Sequence, residues 1–306
     1  MCGIVGYIGQ NDAYPVLIEG LKKLEYRGYD SAGVALINGQ DQLNVYKTKG
    51  KVSNLEAMAA EKDCSGHVGI AHTRWATHGE PSETNAHPHA SADGNVVAVH
   101  NGIIENYQEL KEKLLHNGYT FYSQTDTEVA VKLIDYYYKK YEHTPTDALS
   151  HAMIRMRGSY ALAVMFKEYP GEIYVARKDS PMIIGVQDGE CYVASDVPAI
   201  LKYTRQVYYI GNLEMARLAN GEVTFYNVDE EVIEKPLTEI KWDAKAAEKA
   251  GFEHFMMKEI HEQPKAVRDT LNSVLVDGKL DMSAVGLSDE DIKKIDQICI
   301  VACGSA

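Results

Sequence analysis

The chain opens with Met1-Cys2-Gly3-Ile4-Val5-Gly6, a short apolar stretch with a cysteine at its second position. If Met1 is removed, Cys2 carries a thiol and a free α-amine, the pairing of nucleophile and base that N-terminal nucleophile enzymes use. The reference pKa is about 7.7–8.0 for an α-amine and about 8.5 for a thiol, so proton transfer between them is nearly balanced at cellular pH. Taken alone, such a stretch is more often an ordinary apolar first strand, and the rest of the chain decides between the two interpretations.

Composition and charge exclude several classes of protein. The 306 residues suffice for one large domain or two smaller ones, and 45% hydrophobic with 25% charged residues is typical of a globular protein. The net charge of −13 and the scattered basic residues argue against a nucleic-acid partner and an anionic membrane surface. Five irregularly spaced cysteines favour reduced thiols and a cytoplasmic location. Neither a signal peptide nor an apolar run of the ~18 residues that a membrane helix needs is found.

The order of the predicted elements favours an α+β fold. Strands precede a group of helices in the middle of the chain, and short strands separated by turn residues return between Tyr160 and Tyr226. This order is typical of an α+β layered domain. The elements predicted before residue 157 are strands at Ile4–Ile8, Val34–Ile37, Val68–His72 and Asn95–Val99, and helices at Tyr14–Tyr26, Ile104–Leu115, Thr127–Tyr141 and Thr146–Met156.

The composition changes after Asn227, where polar residues become more frequent. The segments predicted there are a connector through Lys241–Lys249, helices at Phe252–Gln263 and Pro264–Val276, and a final strand at Ile298–Val301. An apolar strand that runs into Gly304-Ser305 resembles the start of a strand–loop–helix phosphate site. We therefore expect the chain to stop at the threshold of another domain.

The most unusual block is His72-Thr73-Arg74-Trp75-Ala76-Thr77-His78-Gly79-Glu80-Pro81. A strand that ends in a loop rich in such side chains suits ligand binding. Arg74 is suited to hold a carboxylate through its planar fork, although a lone arginine is more often part of a surface ion pair. Trp75 is suited to cover a pocket, although a buried structural tryptophan is the commoner case.

Three histidines raise the question of a metal site. His87 and His89 flank Pro88, and His78 precedes them, but the spacing matches no known metal motif. We expect structural or gating histidines here, with neither a metal nor a cofactor.

Two short motifs place polar groups next to predicted elements. His100-Asn101-Gly102 follows a strand, and an amide side chain beside a glycine N–H supplies two neutral donors suited to an oxyanion. The alternative is an ordinary turn, because Asn-Gly is a strong turn dipeptide. Asp126 or Thr125 is expected to cap the helix that follows. Asp126 is also suited to bind a substrate ammonium, and the two roles are compatible.

Together these segments resemble the glutaminase domain of the class II glutamine amidotransferases. The matching blocks, in the family's order and at its separations, are Cys2–Gly6, Arg27–Gly33, His72–Gly79, His100–Gly102 and Thr125–Glu128. Together with the downstream segment His254–Pro264 described below, the resemblance covers essentially the whole chain. It implies an α+β fold, the four-layer αββα sandwich of the N-terminal nucleophile hydrolases. It also implies a glutaminase domain over residues 1–227, with a connector and the truncated start of a sugar-isomerase domain over 228–306.

The resemblance further implies roles for the matched residues. Cys2 is expected to be the nucleophile and its amine the base, while Asn101 and the Gly102 N–H form the oxyanion hole. The α-carboxylate of glutamine is expected to be held by Arg74, Thr77 and His78, and its α-ammonium by Asp126 and the Gly102 carbonyl. Trp75 is expected to lie in a mobile loop over the site, and Arg27 close to the nucleophile. The chemistry is consistent, because a zwitterion with a neutral amide needs a cation, an anion and uncharged donors.

Three segments resemble one branch of the family in particular, namely Glu25–Asp30, Asn85–His89 and His254–Pro264. In that branch the ammonia from L-glutamine is used on fructose 6-phosphate by the full-length enzyme, an aminotransferase of amino-sugar biosynthesis. The alternative is the glutaminase domain of another member, such as the phosphoribosyl amidotransferase. A module that senses glutamine or a sugar phosphate without turnover is the competing class. Chains of this family are longer than the present one, and the full-length protein is expected to be a homo-oligomer.

Overall fold

Strand β1 (Gly3–Ile8) begins directly after Cys2, and all six of its residues are buried. The computed structural model describes residues 2–141, 144–241, 251–276, 278–281 and 286–301. Within them, β1 lies in the interior of a sheet, paired antiparallel on both sides. A strand that is covered on both faces is expected to be a continuous apolar run, as this one is.

The first sheet has eight strands among the described residues, and β1 is its fifth. In spatial order they are β15 (Thr238–Glu239), β11 (Gln206–Tyr209), β9 (Ile183–Gln187), β10 (Glu190–Ala194), β1, β4 (Val68–Arg74), β2 (Ser31–Ile37) and β3 (Leu43–Lys49). The pairing of β4 between β1 and β2 brings the unusual block at residue 72 next to the N-terminus.

The second sheet has seven strands within the part of the chain that the structure describes. In spatial order they are β14 (Val232–Ile233), β13 (Glu222–Asn227), β12 (Glu214–Ala219), β8 (Glu172–Lys178), β7 (Gly158–Phe166), β6 (Val96–Ile104) and β5 (His89–Ala90).

Helices cover the outer face of each sheet. α1 (Ala13–Leu24) and α2 (Val52–Ala59) pack on the first sheet. α4 (Asp126–Lys140) and α5 (Pro145–Arg155) pack on the second, with α3 (Tyr107–His116) against α4.

The two sheets face each other across an apolar core. In β1, Ile4 contributes to this inter-sheet core and Val5 to the core beneath α1, because successive side chains point to opposite faces of a strand. In β6, Val97 and Val96 divide in the same way between the inter-sheet core and the core beneath α4. Three apolar layers therefore separate four layers of secondary structure, which confirms the predicted αββα sandwich.

The described residues fall into two compact units, Met1–Ala244 and Lys245–Ala306. The second contains α6 (Phe255–Ser273), a hairpin of β16 (Leu275–Val276) and β17 (Lys279–Leu280), and α7 (Asp289–Lys293). In the first, β14 and β15 extend the two sheets beyond residue 227. The functional boundary at 227 stays a prediction. No helix among the described residues is long and apolar enough to cross a bilayer.

The structure corrects two predictions near the C-terminus. A single helix, α6, replaces the two predicted helices and contains Pro264. A proline removes one backbone hydrogen bond, but helix formers on both sides, such as Glu262 and Ala266, favour continuation. The predicted strand at Ile298–Val301 is also wrong, because no described segment pairs with it. Gly304-Ser305 and residues 242–250 of the predicted connector lie outside the described residues.

Candidate active site

The Cys2 thiol lies against the end of β4. Gly3 pairs with Thr73, which places Cys2 beside Trp75. The Trp75 N–H donates to Cys2 Sγ at 3.1 Å, and Sγ lies 3.5 Å from the Trp75 carbonyl oxygen, to which it donates. Burial raises the pKa of the Cys2 thiol above its usual value. A thiol that is held protonated in this way needs a base close by to become a nucleophile.

Asn101 reaches Cys2 from the opposite sheet. Its Nδ2 donates to the Cys2 carbonyl oxygen at 3.1 Å, and its Oδ1 lies 2.9 Å from His72 Nε2. Asn101 and Gly102 lie inside β6 and pair with β7, so the turn alternative is wrong. Strand pairing overrides the turn preference of Asn-Gly, since both residues extend the antiparallel ladder that β6 forms with β7.

Gly102 occupies a backbone conformation that favours glycine. Its φ is +124°, and a Cβ at this position would collide with the carbonyl oxygen of Ser159 on β7. A side chain is thus excluded both by the dihedral angle and by the neighbouring strand.

Arg74 is the last residue of β4, two residues beyond the predicted end of that strand, and is only 3% exposed. Its guanidinium donates to the carbonyl oxygens of Glu80 at 3.3 Å and Gly79 at 3.0 Å, and also to that of His78. Its Nη1 lies 3.6 Å from Asp30 Oδ1. A guanidinium has five N–H donors, so Arg74 can shape this loop and still offer donors to a ligand.

Asp126 begins α4, and Thr125 is the N-cap residue whose side chain accepts from the Glu128 N–H. The Asp126 carboxylate accepts from the Ile104 N–H at 2.9 Å through Oδ2. Its Oδ1 lies 3.8 Å from His78 Nδ1. Capping by Thr125 therefore leaves the Asp126 carboxylate turned toward the site.

A cavity with about 260 Å³ of non-atom space joins these groups. Its lining includes seven of the residues proposed from the sequence, namely Cys2, Arg74, Trp75, Thr77, His78, Gly102 and Asp126. Asn101 belongs to the same site through its hydrogen bond to the Cys2 carbonyl oxygen. Arg27 lies in a short 3₁₀ turn, and its side chain is outside the described part of the chain.

Trp75 is 54% exposed at the rim of this cavity. Its ring lies so close to Gly28 that a Cβ there would collide with it. The indole is therefore seated on the backbone of the matched Arg27–Gly33 block rather than buried in the core.

Sequence reasoning missed two functional neighbours, Asp30 and His72. The Asp30 carboxylate accepts from the Ala76 N–H and from Ser31 Oγ, which fixes the backbone directly after Trp75. Asp30 lies in a block that the sequence had singled out, but this contact depends on the register of β2 against β4. The sequence places His72 at the end of a predicted strand and at the start of the unusual block, but indicates no role for its side chain.

His87 and His89 lie buried close to His72 and His100. Burial lowers the pKa of His87 and His89 well below the usual value of histidine, so both are neutral. In the described residues no group of three or more His, Cys, Asp or Glu is placed to hold a metal ion. Both rings are packed among the other histidines, and His87 also lines the cavity.

Curated relatives match the chain from end to end. Residues 72–202 match the glutamine amidotransferase domain family. Proteins named glutamine–fructose-6-phosphate aminotransferase (isomerizing) from Clostridium acetobutylicum and Caldanaerobacter subterraneus subsp. tengcongensis are 51% and 50% identical over 307 residues. The match covers 100% of this chain and 50% of each relative. The chain thus spans about half the length of the curated relatives it matches.

Solved structures show the same fold. The glutamine phosphoribosylpyrophosphate amidotransferase from B. subtilis, complexed with ADP and GMP, superposes with a TM-score of 0.65 at 25% identity, over 76% of this chain and 50% of that chain. A glutamine aminotransferase class-II domain protein from Silicibacter pomeroyi gives a TM-score of 0.52 at 17% identity, over 74% of this chain and 99% of that chain, and supports the fold alone. The chain therefore contains a glutamine amidotransferase domain and has the fold of the class II enzymes, that of the N-terminal nucleophile hydrolases.

Proposed function

We propose that this chain hydrolyses L-glutamine to L-glutamate and ammonia through a γ-glutamyl thioester on Cys2. The observation that carries the proposal is that one small cavity holds the Cys2 thiol together with a buried cation, Arg74, and a buried carboxylate, Asp126. These charges complement the two charges of an amino acid. The neutral Asn101 amide beside Cys2 is suited to the uncharged end where the reaction takes place.

The reaction begins with loss of the thiol proton. The Cys2 α-amine, free once Met1 has been removed, accepts it, and the thiolate attacks the amide carbon of glutamine. A carboxamide has two N–H donors, and one of those on Asn101 is engaged by the Cys2 carbonyl. The other, with the Gly102 N–H, stabilises the oxyanion. The ammonium returns the proton to the leaving nitrogen, ammonia departs, and water then cleaves the thioester with the amine again as base.

Glutamine is positioned by its charged end. Asp126 and the Gly102 carbonyl hold the α-ammonium, while Arg74, Thr77 and His78 hold the α-carboxylate. Trp75 lies in the loop that covers the site and, in the longer protein, gates the path of ammonia. Arg27 lies close to the nucleophile. The position of Asp126 in the first turn of α4 leaves its carboxylate directed at the cavity, which supports this arrangement.

In the full-length protein we propose that the ammonia converts fructose 6-phosphate to glucosamine 6-phosphate. Support comes from the names of the curated relatives, whose sequences are 51% and 50% identical to this chain over its whole length. The phosphoribosyl amidotransferase alternative has 25% identity in the solved structure. We further propose a cytoplasmic, homo-oligomeric enzyme that needs no nucleic acid, membrane or cofactor.

Glutamate release tests the proposal directly. The chain with Met1 removed should release glutamate and ammonia in equal amounts from L-glutamine, and a thiol-directed glutamine analogue should stop the release by modifying Cys2. Binding of glutamine without turnover would instead favour the sensing module.

For Asp126→Asn we expect KM for glutamine to rise roughly 10- to 150-fold with little change in kcat. The substitution removes a charge partner that binds the substrate equally in the ground state and in the transition state. A hydrogen bond to a charged group contributes about 1.5–3 kcal/mol, and the expected rise in KM corresponds to this loss of binding free energy. Steady-state kinetics of glutamate release gives both constants. Glu168→Gln in the turn between β7 and β8, where Glu168 accepts from the Tyr138 hydroxyl, is the control. A fall in kcat at constant KM would contradict the assignment.

For Arg74→Ala we expect a rise in KM on the same scale, roughly 10- to 150-fold, together with a lower thermal midpoint. The fall in stability follows because the carbonyl oxygens of His78, Gly79 and Glu80 lose their donor. Arg74→Lys keeps the charge but not the planar fork, so its KM should lie between those of wild type and Arg74→Ala. An Arg74→Ala protein that keeps the wild-type KM would refute the carboxylate role.

A further inference from the structure

The Asn101 carboxamide is held from two sides, and the second partner is His72. Because Nδ2 donates to the Cys2 carbonyl, Oδ1 faces away from Cys2 and lies 2.9 Å from His72 Nε2. An amide oxygen only accepts, so Nε2 carries the proton and donates. We propose that His72 is a positioning residue whose Nε2–H keeps the Asn101 NH₂ group turned toward Cys2. This inference rests on the proposed glutamine hydrolysis, in which the oxyanion forms beside Cys2.

The His72 ring is fixed by its own strand. His72 pairs with Ile4 of β1 and with Gly33 of β2, so its backbone is held on both sides. The residue is fully buried. A donor mounted on an interior strand can hold its acceptor in place, whereas one on a loop would follow the movements of that loop.

A stack of imidazoles fixes the ring from the side. His87 stacks on His72 with ring centroids 4.1 Å apart and an interplanar angle of 22°. The His100 N–H donates to His87 Nδ1 at 3.4 Å, and His89 meets His87 edge-on at 5.0 Å. The histidines of the Asn85–His89 segment were predicted to be gating or structural. Through His87 this segment supports His72, which donates to Asn101.

The far end of the stack is tied to the start of α4. His89 Nδ1 lies 2.9 Å from the Tyr122 hydroxyl, and its Nε2 lies 3.1 Å from Thr125 Oγ1. Thr125 directly precedes Asp126. The same row of histidine rings therefore contacts both His72, which holds Asn101, and Thr125, which precedes Asp126.

The chemistry requires a neutral donor. Burial lowers the pKa of His72 to about 3, so the ring carries no charge at neutral pH. A neutral Nε2–H polarises the Asn101 amide and strengthens its N–H donors without adding a buried charge beside the nucleophile. His72 Nδ1 has no hydrogen-bond partner within the described residues.

Two nearly isosteric substitutions separate positioning from packing. Glutamine places its amide nitrogen near the position of Nε2, whereas asparagine places it near Nδ1 and cannot reach Asn101. For His72→Asn we expect kcat to fall about 10- to 100-fold, with KM within about twofold, because the oxyanion donor is misaligned. His72→Gln should restore kcat to within about threefold of wild type. His151→Asn on α5 is the control.

Two probes of Cys2 give readouts that a structural role would not move. Alkylation of the thiolate by iodoacetamide displaces iodide without forming an oxyanion, so its rate should be the same in His72→Asn and wild type. Glutamate γ-semialdehyde accepts the thiol at its aldehyde carbon, and the carbonyl oxygen takes up the proton to give a thiohemiacetal at the oxyanion position. Its inhibition constant should weaken by the same factor as kcat/KM.

Parallel loss of kcat and thermal midpoint in both variants, with slower alkylation, would assign His72 to the core and overturn the proposal. Equal kcat in His72→Asn and wild type would overturn it as well, while glutamine hydrolysis itself stands. If His72→Asn does not fold, His72→Met fills the same space without a donor and takes its place. A wild-type chain that releases no glutamate would instead refute the proposed function, and this inference with it.

Discussion

Cys2→Ala is expected to abolish glutamate release while the protein stays folded. Cys2 is the residue that can offer a thiol and an α-amine together once Met1 is removed, and the thioester cannot form without its sulfur. The change removes the weak contacts of Sγ with the Trp75 backbone, which costs at most about 1 kcal/mol. The measurements are glutamate release, the thermal midpoint, and intact mass after exposure to a glutamine analogue that labels thiols.

Cys191→Ala provides the matched control. Cys191 lies buried on β10, paired with Ile8 at the far end of β1, and burial raises the pKa of its thiol to about 12. It is thus an unreactive thiol in the same sheet, and its variant should keep wild-type activity. Glutamate release by Cys2→Ala at the wild-type rate would end the thioester mechanism.

A companion result concerns the base. A chain with Met1 retained, or with an N-terminal tag, should be inactive, because its Cys2 nitrogen is an amide that cannot accept the thiol proton. Intact mass establishes the state of the N-terminus in each preparation. Full turnover by a verified unprocessed chain would show that another group acts as the base.

Asn101→Ala is expected to lower kcat by ~10²–10³ with little change in KM, the scale for loss of one oxyanion donor. The donor stabilises charge that develops in the transition state, so ground-state binding is nearly untouched. The structure adds a second effect, because the His72 Nε2–H and the Cys2 carbonyl oxygen lose their partner. A fall in stability of about 1–3 kcal/mol is therefore expected as well.

Kinetics and thermal unfolding of one preparation separate these effects. Asn95→Ala is the control, since Asn95 is buried just before β6, outside the site. It should keep kcat, because Asn95 Oδ1 has no hydrogen-bond partner among the described residues and the side chain does not line the cavity. An Asn101→Ala protein that is destabilised but fully active would show that Asn101 is purely structural and that the oxyanion donors lie elsewhere.

Local pattern was sufficient for the layers and most of their elements. β1 and β6 are dense in buried apolar residues, and α4 begins at a residue that Thr125 caps, as its sequence suggests. Local preference misleads where strand pairing overrides it. Asn101-Gly102 has the composition of a turn, yet it lies in a strand because it continues the antiparallel ladder with β7. The predicted strand at Ile298–Val301 fails for the opposite reason, since no described strand pairs with it.

By itself the sequence indicated Cys2 as the candidate N-terminal nucleophile, the resemblance to a family and the set of residues suited to glutamine, because these depend on residue type and order along the chain. The tertiary structure decided how those residues meet. Asn101 reaches Cys2 across 99 positions and His72 across 29, through strands of opposite sheets. Such contacts depend on strand register and sheet packing, which involve residues far apart in the chain. Local sequence therefore showed that an amide donor is present, and the packing of the two sheets determined its orientation and its support by a neutral histidine.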